Sequence, residues 1–365
     1  MGWVKIASKI KVKIGNRVIG GGEKVLIQSM TNTKTHDVEN TVKQINELEK
    51  CGCEIVRVTA NTKESAEAIY EIKKKVSIPV VADIHFDYRL AVSAALHGAD
   101  KIRINPGNIG DESNVKELID VCKKYHIPIR VGVNGGSLPE DLYLKYGGVT
   151  PEGIIEAAKR QVEILEKFDF YDTVISLKVS DVSKNIESYR MAAEVFDYPL
   201  HLGVTEAGGG IAGVVKNSIG IGTLLREGIG DTLRVSLTDS VFKEIETAKE
   251  ILNATDTRKE WAEIISCPTC GRTEIDLIRY AEEIREKTKN INKHIKIAVM
   301  GCVVNGPGEA KDCDVGIAGG KNCAVLFKKN ESGNAEIIKK INEREIIPEL
   351  LNEIENICNI KTEEK

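Results

Sequence analysis

A chain of 365 residues that is 42% hydrophobic but only 5% aromatic has the Val, Ile, Leu and Ala for two domains, or for one large barrel and a smaller unit. Its net charge of −4 lacks the basic footprint of a general nucleic-acid binder, and no apolar run reaches the roughly 18 residues of a membrane span. Nine cysteines, an odd number with no export pattern ahead of them, point to reduced thiols and a cytoplasmic protein.

The first readable element, Lys9 to Ile19, alternates apolar and basic residues and is broken by Gly15-Asn16. That is the pattern of a β-hairpin with a tight turn. Eight short β-branched runs follow: V-L-I-Q-S-M, E-I-V-R-V-T, P-V-V-A-D-I-H, K-I-R-I-N-P, P-I-R-V-G-V-N, T-V-I-S-L-K-V-S, P-L-H-L-G-V-T-E and T-L-R-V-S-L-T-D. Helical spacing separates them over 38–50, 63–76, 88–97, 115–125, 151–167, 186–196, 214–227 and 241–252. Eight alternating units in this length fit an α/β fold, a (β/α)8 TIM barrel, with the hairpin over its N-terminal mouth. A doubly wound open sheet fits less well, because no Gly-rich phosphate loop follows the first strand. After Thr255 the pattern changes to a cysteine loop, a charged helix, the strand I-K-I-A-V-M, two further strands and a last helix over 346–358. The expected division is a barrel over 1–255, holding the substrate, and a smaller α/β domain over 256–365, holding a metal cluster.

Five of the eight strand runs carry a cation between apolar neighbours: Arg57, Arg103, Arg130, Lys178 and Arg234. Strand neighbours face opposite sides, so the apolar flanks pack on the outer helices and the cations point inward. Such charges are tolerable only near the C-terminal mouth, where barrel active sites lie. Converging cations make an anion site, and the Arg fork suits phosphate oxygens. Asp83 and His85 end the third strand, Asn105 the fourth, Asn134 the fifth, Glu206 the seventh and Ser236 the eighth. A salt-bridge lattice that merely fills the mouth is the plain alternative, but five cations favour a ligand with more than one phosphate. The run Gly208-Gly209-Gly210 reads equally as a phosphate cradle or a flexible loop.

Cys267 and Cys270 lie in C-P-T-C-G-R, and Cys302 in G-C-V-V-N-G-P-G-E. Three thiolates fit an iron–sulfur cluster with one weaker ligand. Zinc would want a second close pair or a His, and His294 is the single histidine of this part. Spacing leaves the fourth ligand open between Cys313, which reads as solvent-facing, Cys323, and the carboxylate of Glu309. Cys51, Cys53, Cys122 and Cys358 read as small core residues.

These stretches, together with I-Q-S-M-T-N-T, V-V-A-D-I-H-F, I-R-I-N-P-G-N-I-G, H-L-G-V-T-E-A-G-G and G-D-T-L-R-V-S-L, closely resemble the 4-hydroxy-3-methylbut-2-enyl diphosphate synthases, in their two-domain bacterial form. The resemblance runs from Gln28 to Ala310. It implies a reductive ring opening and dehydroxylation of 2-C-methyl-D-erythritol 2,4-cyclodiphosphate, with ferredoxin or flavodoxin as electron donor. It implies a [4Fe–4S] cluster on Cys267, Cys270, Cys302 and Glu309. It puts the diphosphate among the barrel cations and Glu206 beside the departing hydroxyl. It also implies a head-to-tail homodimer. Two other readings compete with it. One is a phosphate-binding barrel lyase or aldolase with Lys178 as imine-forming residue and a structural zinc domain. The other is a non-catalytic iron–sulfur or RNA-binding module, against which the acidic balance speaks.

Overall fold

The computed structural model describes residues 8–105, 112–303, 312–330 and 332–359. The chain divides into two units, Met1–Arg258 and Lys259–Lys365.

The first unit opens with a hairpin of β1 (Val12–Ile14) and β2 (Arg17–Ile19), turned at Gly15 with φ 55°. A two-residue turn of this kind asks for positive φ, which glycine adopts at no steric cost. Eight parallel strands follow: β3 (Leu26–Met30), β4 (Ile55–Thr59), β5 (Val80–Asp83), β6 (Lys101–Ile104), β7 (Ile129–Asn134), β8 (Thr173–Lys178), β9 (His201–Leu202) and β10 (Thr232–Leu233). They neighbour one another in the order β8-β7-β6-β5-β4-β3-β10-β9, and an Ile175–Leu200 bridge joins the two ends. The result is a closed eight-stranded barrel. Val12, Ile14 and Ile19 of the hairpin pack with Leu26, Ile55, Val81 and Val174, so the hairpin plugs the N-terminal mouth.

That contact also fixes which residues line the interior. Laddered partners share a face, and the face alternates along each strand. From Ile55 inward-facing positions run to Arg57, from Val81 to Asp83, and from Val174 to Lys178. Lys101 pairs with Val81, Arg103 with Asp83 and Arg130, and Thr232 with Leu26 and His201, so these point inward too.

The barrel helices are α1 (Val38–Lys50), α2 (Lys63–Lys73), α3 (Tyr88–Leu96), α4 (Glu112–Tyr125), α5 (Glu140–Tyr146), α6 (Pro151–Glu166), α7 (Val182–Val195), α8 (Gly210–Arg226) and α9 (Val241–Ala254). Side-chain caps set several starts: Asp37, Thr62, Thr150 and Asp181 each accept the N–H three residues on. Three helices begin three or four residues ahead of the periodic expectation, at Glu112, Val182 and Gly210. Their first turns are polar or glycine-rich and carry no apolar period. Helix α5 was not expected; it is seven residues long and buries only Leu142. The eighth strand reads longer in sequence than the Thr232–Leu233 ladder. Past Arg234 the backbone N–H groups are taken by side chains instead: Ser236 donates to Asn217 Oδ1 (3.2 Å) and Leu237 to Glu244 Oε1 (3.0 Å).

The second unit is a five-stranded sheet in the order β11 (Ala262–Ser266), β12 (Ile295–Met300), β13 (Val315–Gly320), β14 (Cys323–Lys329), β15 (Ala335–Asn342). The first three strands are parallel, and β14 pairs antiparallel with both β13 and β15. Helices α10 (Leu277–Thr288) and α11 (Ile346–Cys358) pack on it through Leu277, Tyr280, Ile284, Ile346, Leu350 and Ile354. The two edge strands were not anticipated. β11 is half-exposed throughout, and β15 carries Lys339 and Lys340 on a mostly exposed edge, so neither shows a clean alternation. No helix among the described residues is long and apolar enough to cross a membrane.

Candidate active site

Asp83 is the hub of the barrel interior. Its Oδ1 accepts from Arg103 Nη1 at 3.1 Å, its Oδ2 lies 3.7 Å from Arg57 Nε, and His85 Nε2 is 3.5 Å from Oδ2. Burial alone would push this carboxyl up. Arg57, His85, Arg103 and Arg130 outweigh burial and hold it well below the usual carboxylate range. Arg103 Nη1 also lies 3.5 Å from His85 Nδ1. If Nδ1 accepts there, the ring proton sits on Nε2, facing Asp83. Arg57 further rests on the Met30 sulfur, 2.9 Å from its Nη2.

Arg130 and Lys178 are almost fully buried, and the Nε and Nη1 of Arg130 have no hydrogen-bond partner among the described residues. Burial first, then Arg57, disfavours the charged form of both. An arginine does not shed its proton in a protein. The crowding is therefore held as positive potential directed at whatever anion enters. Arg234 is clamped by Glu244 through Nη2–Oε1 (3.0 Å) and Nε–Oε2 (3.3 Å).

Two strand glycines create the room. A Cβ on Gly132 would lie 2.8 Å from Arg103 Nε, and one on Gly203 would lie 3.1 Å from Lys178 Cε. The cations thus lie across bare backbone. Sequence reasoning passed over these two glycines, although a glycine inside a β-branched run (R-V-G-V, H-L-G-V) is the available signal. It also passed over Lys101, a sixth inward cation, and Glu244 and Asn217, which sit on outer helices with no motif to mark them. Asn217 Nδ2 donates to Ser236 O at 3.0 Å and so holds the backbone of Ser236.

The remaining expected residues fall at the same mouth. Asn134 ends β7 in register with Lys178, Asn105 directly follows β6, and Ser236 follows β10 half-buried. Residues 106–110 of the I-R-I-N-P-G-N-I-G stretch lie outside the described residues. Glu206 is exposed just past β9, with φ at 55°. A left-handed glutamate is uncommon and costs of order 1 kcal/mol, a feature that concentrates at functional turns. Gly208–Gly210 lead into α8, with Gly209 at its N-cap. Gly208 O accepts from Thr238 N at 3.0 Å, and a Cβ on Gly209 would meet Thr238 O at 2.7 Å.

In the second unit the parallel pairing of β11 with β12 puts both cysteine motifs at one sheet end. Gly301 N–H donates to Cys267 Sγ (3.2 Å), and Gly301 O accepts from Glu274 N (2.9 Å), tying the C-P-T-C loop to the residue before Cys302. The backbone N–H of Arg272, then the Thr273 and Arg272 side chains, lower the Cys270 thiol. The donor chemistry fits an iron–sulfur group, although no three described ligands are gathered as a closed set. Glu309 lies outside the described residues. Cys313 is a correction: it is 1% exposed and packs on Ala298, Met300 and Phe327, with its thiol pushed up to about 11 by burial. The expected solvent-facing strand start is instead covered on the sheet face of Ala298, Met300, Ala318 and Phe327, the face opposite to Val315 and Ile317. His294 precedes β12 at the end opposite the cysteines, a strand length of about 20 Å away, so it cannot complete a zinc site.

Two outcomes follow from this geometry. The stability contributed by Asp83 is fully present above about pH 4, its unfolded value, and is lost as pH falls towards the depressed folded value. In urea titrations the gap between wild type and Asp83→Asn should stay level from about pH 5 upward and close in acid. Gly132→Ala should leave folding intact but displace Arg103. Loss of one charge-assisted hydrogen bond, about 1.5 kcal/mol, corresponds to roughly tenfold weaker anion binding, read by calorimetry.

A family model described as "GcpE TIM-barrel domain" matches residues 9–249, and one described as "GcpE protein C-terminal domain" matches residues 263–356. The chain is 55% identical over 347 residues to a Caldanaerobacter subterraneus protein named 4-hydroxy-3-methylbut-2-en-1-yl diphosphate synthase (flavodoxin), covering 95% of this chain and 96% of that one. Proteins of the same name from Fusobacterium nucleatum (56% over 339 residues, 93% and 94% covered) and Clostridium perfringens (55% over 347 residues, 95% and 98% covered) are similarly close. Among solved structures, dihydropteroate synthase from Stenotrophomonas maltophilia superposes with a TM-score of 0.50 at 13% identity, covering 67% of this chain and 98% of that one, a likeness of barrel fold alone. With both domains matched along nearly the whole chain, and with relatives above half identity, the chain belongs to the GcpE family.

Proposed function

We infer that the chain is an iron–sulfur oxidoreductase of non-mevalonate isoprenoid biosynthesis. It converts 2-C-methyl-D-erythritol 2,4-cyclodiphosphate to (E)-4-hydroxy-3-methylbut-2-enyl diphosphate. The single observation that carries the reading of the site is the excess of buried cations in the barrel, with unsatisfied donors on Arg130 and little carboxylate to balance them.

The chemistry sets the demands. The ring C–O bond and a neighbouring C–OH bond break, each leaving oxygen takes its electron pair, and two supplied electrons form the carbon–carbon double bond. The hydroxyl departs as water after gaining a proton. The ring oxygen stays on the diphosphate as new negative charge. Arg57, Arg103, Arg130, Lys178 and Arg234 suit that task, since preorganised cations act most strongly on charge that develops in a dry site. Asn105, Asn134, Ser236 and His85 add further hydrogen-bonding groups at the rim. Glu206 is the carboxyl that supplies the proton to the leaving hydroxyl, and its strained backbone is consistent with a side chain held to a task.

Cys267, Cys270, Cys302 and Glu309 would hold a [4Fe–4S] cluster. When bound, that group supplies electrons singly and an iron whose carboxylate ligand is exchangeable for a substrate oxygen. The backbone donor on Cys267 Sγ and the lowered Cys270 thiol support thiolates there. Flavodoxin, named in the relatives' names, is the electron donor of this reading. A head-to-tail homodimer completes it, with one subunit's cysteine domain serving the other's barrel.

Anaerobically prepared, iron-loaded protein with the cyclodiphosphate and a chemical reductant should release the linear diphosphate; iron-loaded protein that binds the compound but never turns it over would refute the assignment. Glu206→Gln should keep substrate binding and lower kcat by about 10²–10⁴, the span of a lost general acid. Glu309→Ala should lose bound iron, read by metal analysis and the visible absorption band, together with activity; full iron content in that variant would remove the carboxylate from the ligand set.

A further inference from the structure

Lys101 has no part in the site as described so far, yet it lies in the same interior. It is fully buried, and its Nζ has no hydrogen-bond partner among the described residues. It sits two residues before Arg103 on the inward face of β6 and pairs in register with Val81, which pairs with Arg57. The groups around it are Arg57 from β4, Arg103 on its own strand, Arg130 from β7, and His201 from β9. Asp83, a buried carboxylate of this interior, is already held by Arg57 and Arg103. His201 Nδ1 is 2.8 Å from Thr232 Oγ1, and its Nε2 has no partner among the described residues. Gln28, also buried, has no hydrogen-bond partner for either amide atom among the described residues.

We propose that Lys101 is a charge-matching residue of the diphosphate pocket: placed beneath Arg103 and Arg130 without a counter-ion, it takes up a proton when the diphosphate binds above it. This inference rests on the diphosphate reading of the site. Its reasoning begins with the difference between the two kinds of cation. An arginine stays charged whatever surrounds it, whereas a buried lysine sheds its proton readily. In the empty barrel burial, then Arg130, then Arg57, pull the Lys101 amine well below its ordinary value. An amine kept neutral there needs no partner. A bound diphosphate reverses the sign of the local field and favours the ammonium. Between the free and bound values of the amine, binding brings in a proton, so affinity weakens as pH rises through that window. The added charge then faces the negative charge that ring opening leaves on the diphosphate. Lys178 shares the depressed affinity, but it is a contact residue of the pocket, and its own uptake persists when Lys101 is changed.

The test is the buffer dependence of the binding heat for the cyclodiphosphate at about pH 8, on iron-loaded protein without reductant. Wild type should take up protons, and Lys101→Met and Lys101→Gln should each take up about one proton fewer, the stoichiometry of a single linked group. Ligand bound by wild type with no proton uptake overturns the inference, as does equal uptake in wild type and both variants. Failure of both variants to fold at that pH also counts against it, because a lysine that is neutral in the empty barrel is replaceable by an uncharged chain of similar length. Absence of any cyclodiphosphate binding by wild type is a different result and removes the diphosphate reading itself.

Discussion

Everything in the barrel turns on positive charge confined where water is scarce. Arg57, Arg103, Arg130 and Lys178 are buried on inward faces, with the Lys101 amine beneath them, and Arg234 is half-buried at the mouth. Among the described residues the buried carboxylates that pair with these cations are Asp83 and Glu244. Buried charge of one sign is costly, and such an arrangement gains nothing for folding. It makes sense as potential kept in reserve for an anion. Asp83 holds it together: by engaging Arg57, Arg103 and His85 at once it fixes the spacing of the donors without cancelling their sum.

The scaffold accommodates this charge by subtraction. The hairpin seals one mouth with apolar side chains, so the polar tiers are pushed towards the other. Gly132 and Gly203 remove the side chains that would otherwise fill the middle, and Arg103 and Lys178 lie in the space left. Outside the barrel, Asn217 and Glu244 take over the backbone N–H groups where the last strand stops, and Glu244 also grips Arg234. The outer helices therefore shape the mouth as much as the strands do.

The second unit uses a different device. Parallel strands end together, so motifs more than thirty residues apart in sequence, C-P-T-C and G-C-V-V, arrive at one edge. The Gly301 backbone links them through both its N–H and its carbonyl. A further cysteine of this unit, Cys313, is spent on the core, where burial keeps it a thiol.

Sequence alone was enough for the barrel, because eight β-branched runs alternating with helical spacing admit few other folds. It was enough for the five mouth cations, because an arginine or lysine between apolar strand neighbours has one face left to occupy. It was enough for the family, because the motifs are long and keep their order. Tertiary structure decided what depends on distance rather than pattern. It turned Cys313 inward, set His294 at the wrong end of its strand, and revealed Glu244 and Asn217 as supports. It also exposed Lys101 as a buried amine without a partner among the described residues. In each case the governing quantity is the local surroundings, burial and the nearest opposite charge, and those are made by residues far apart in the chain that no spacing rule connects.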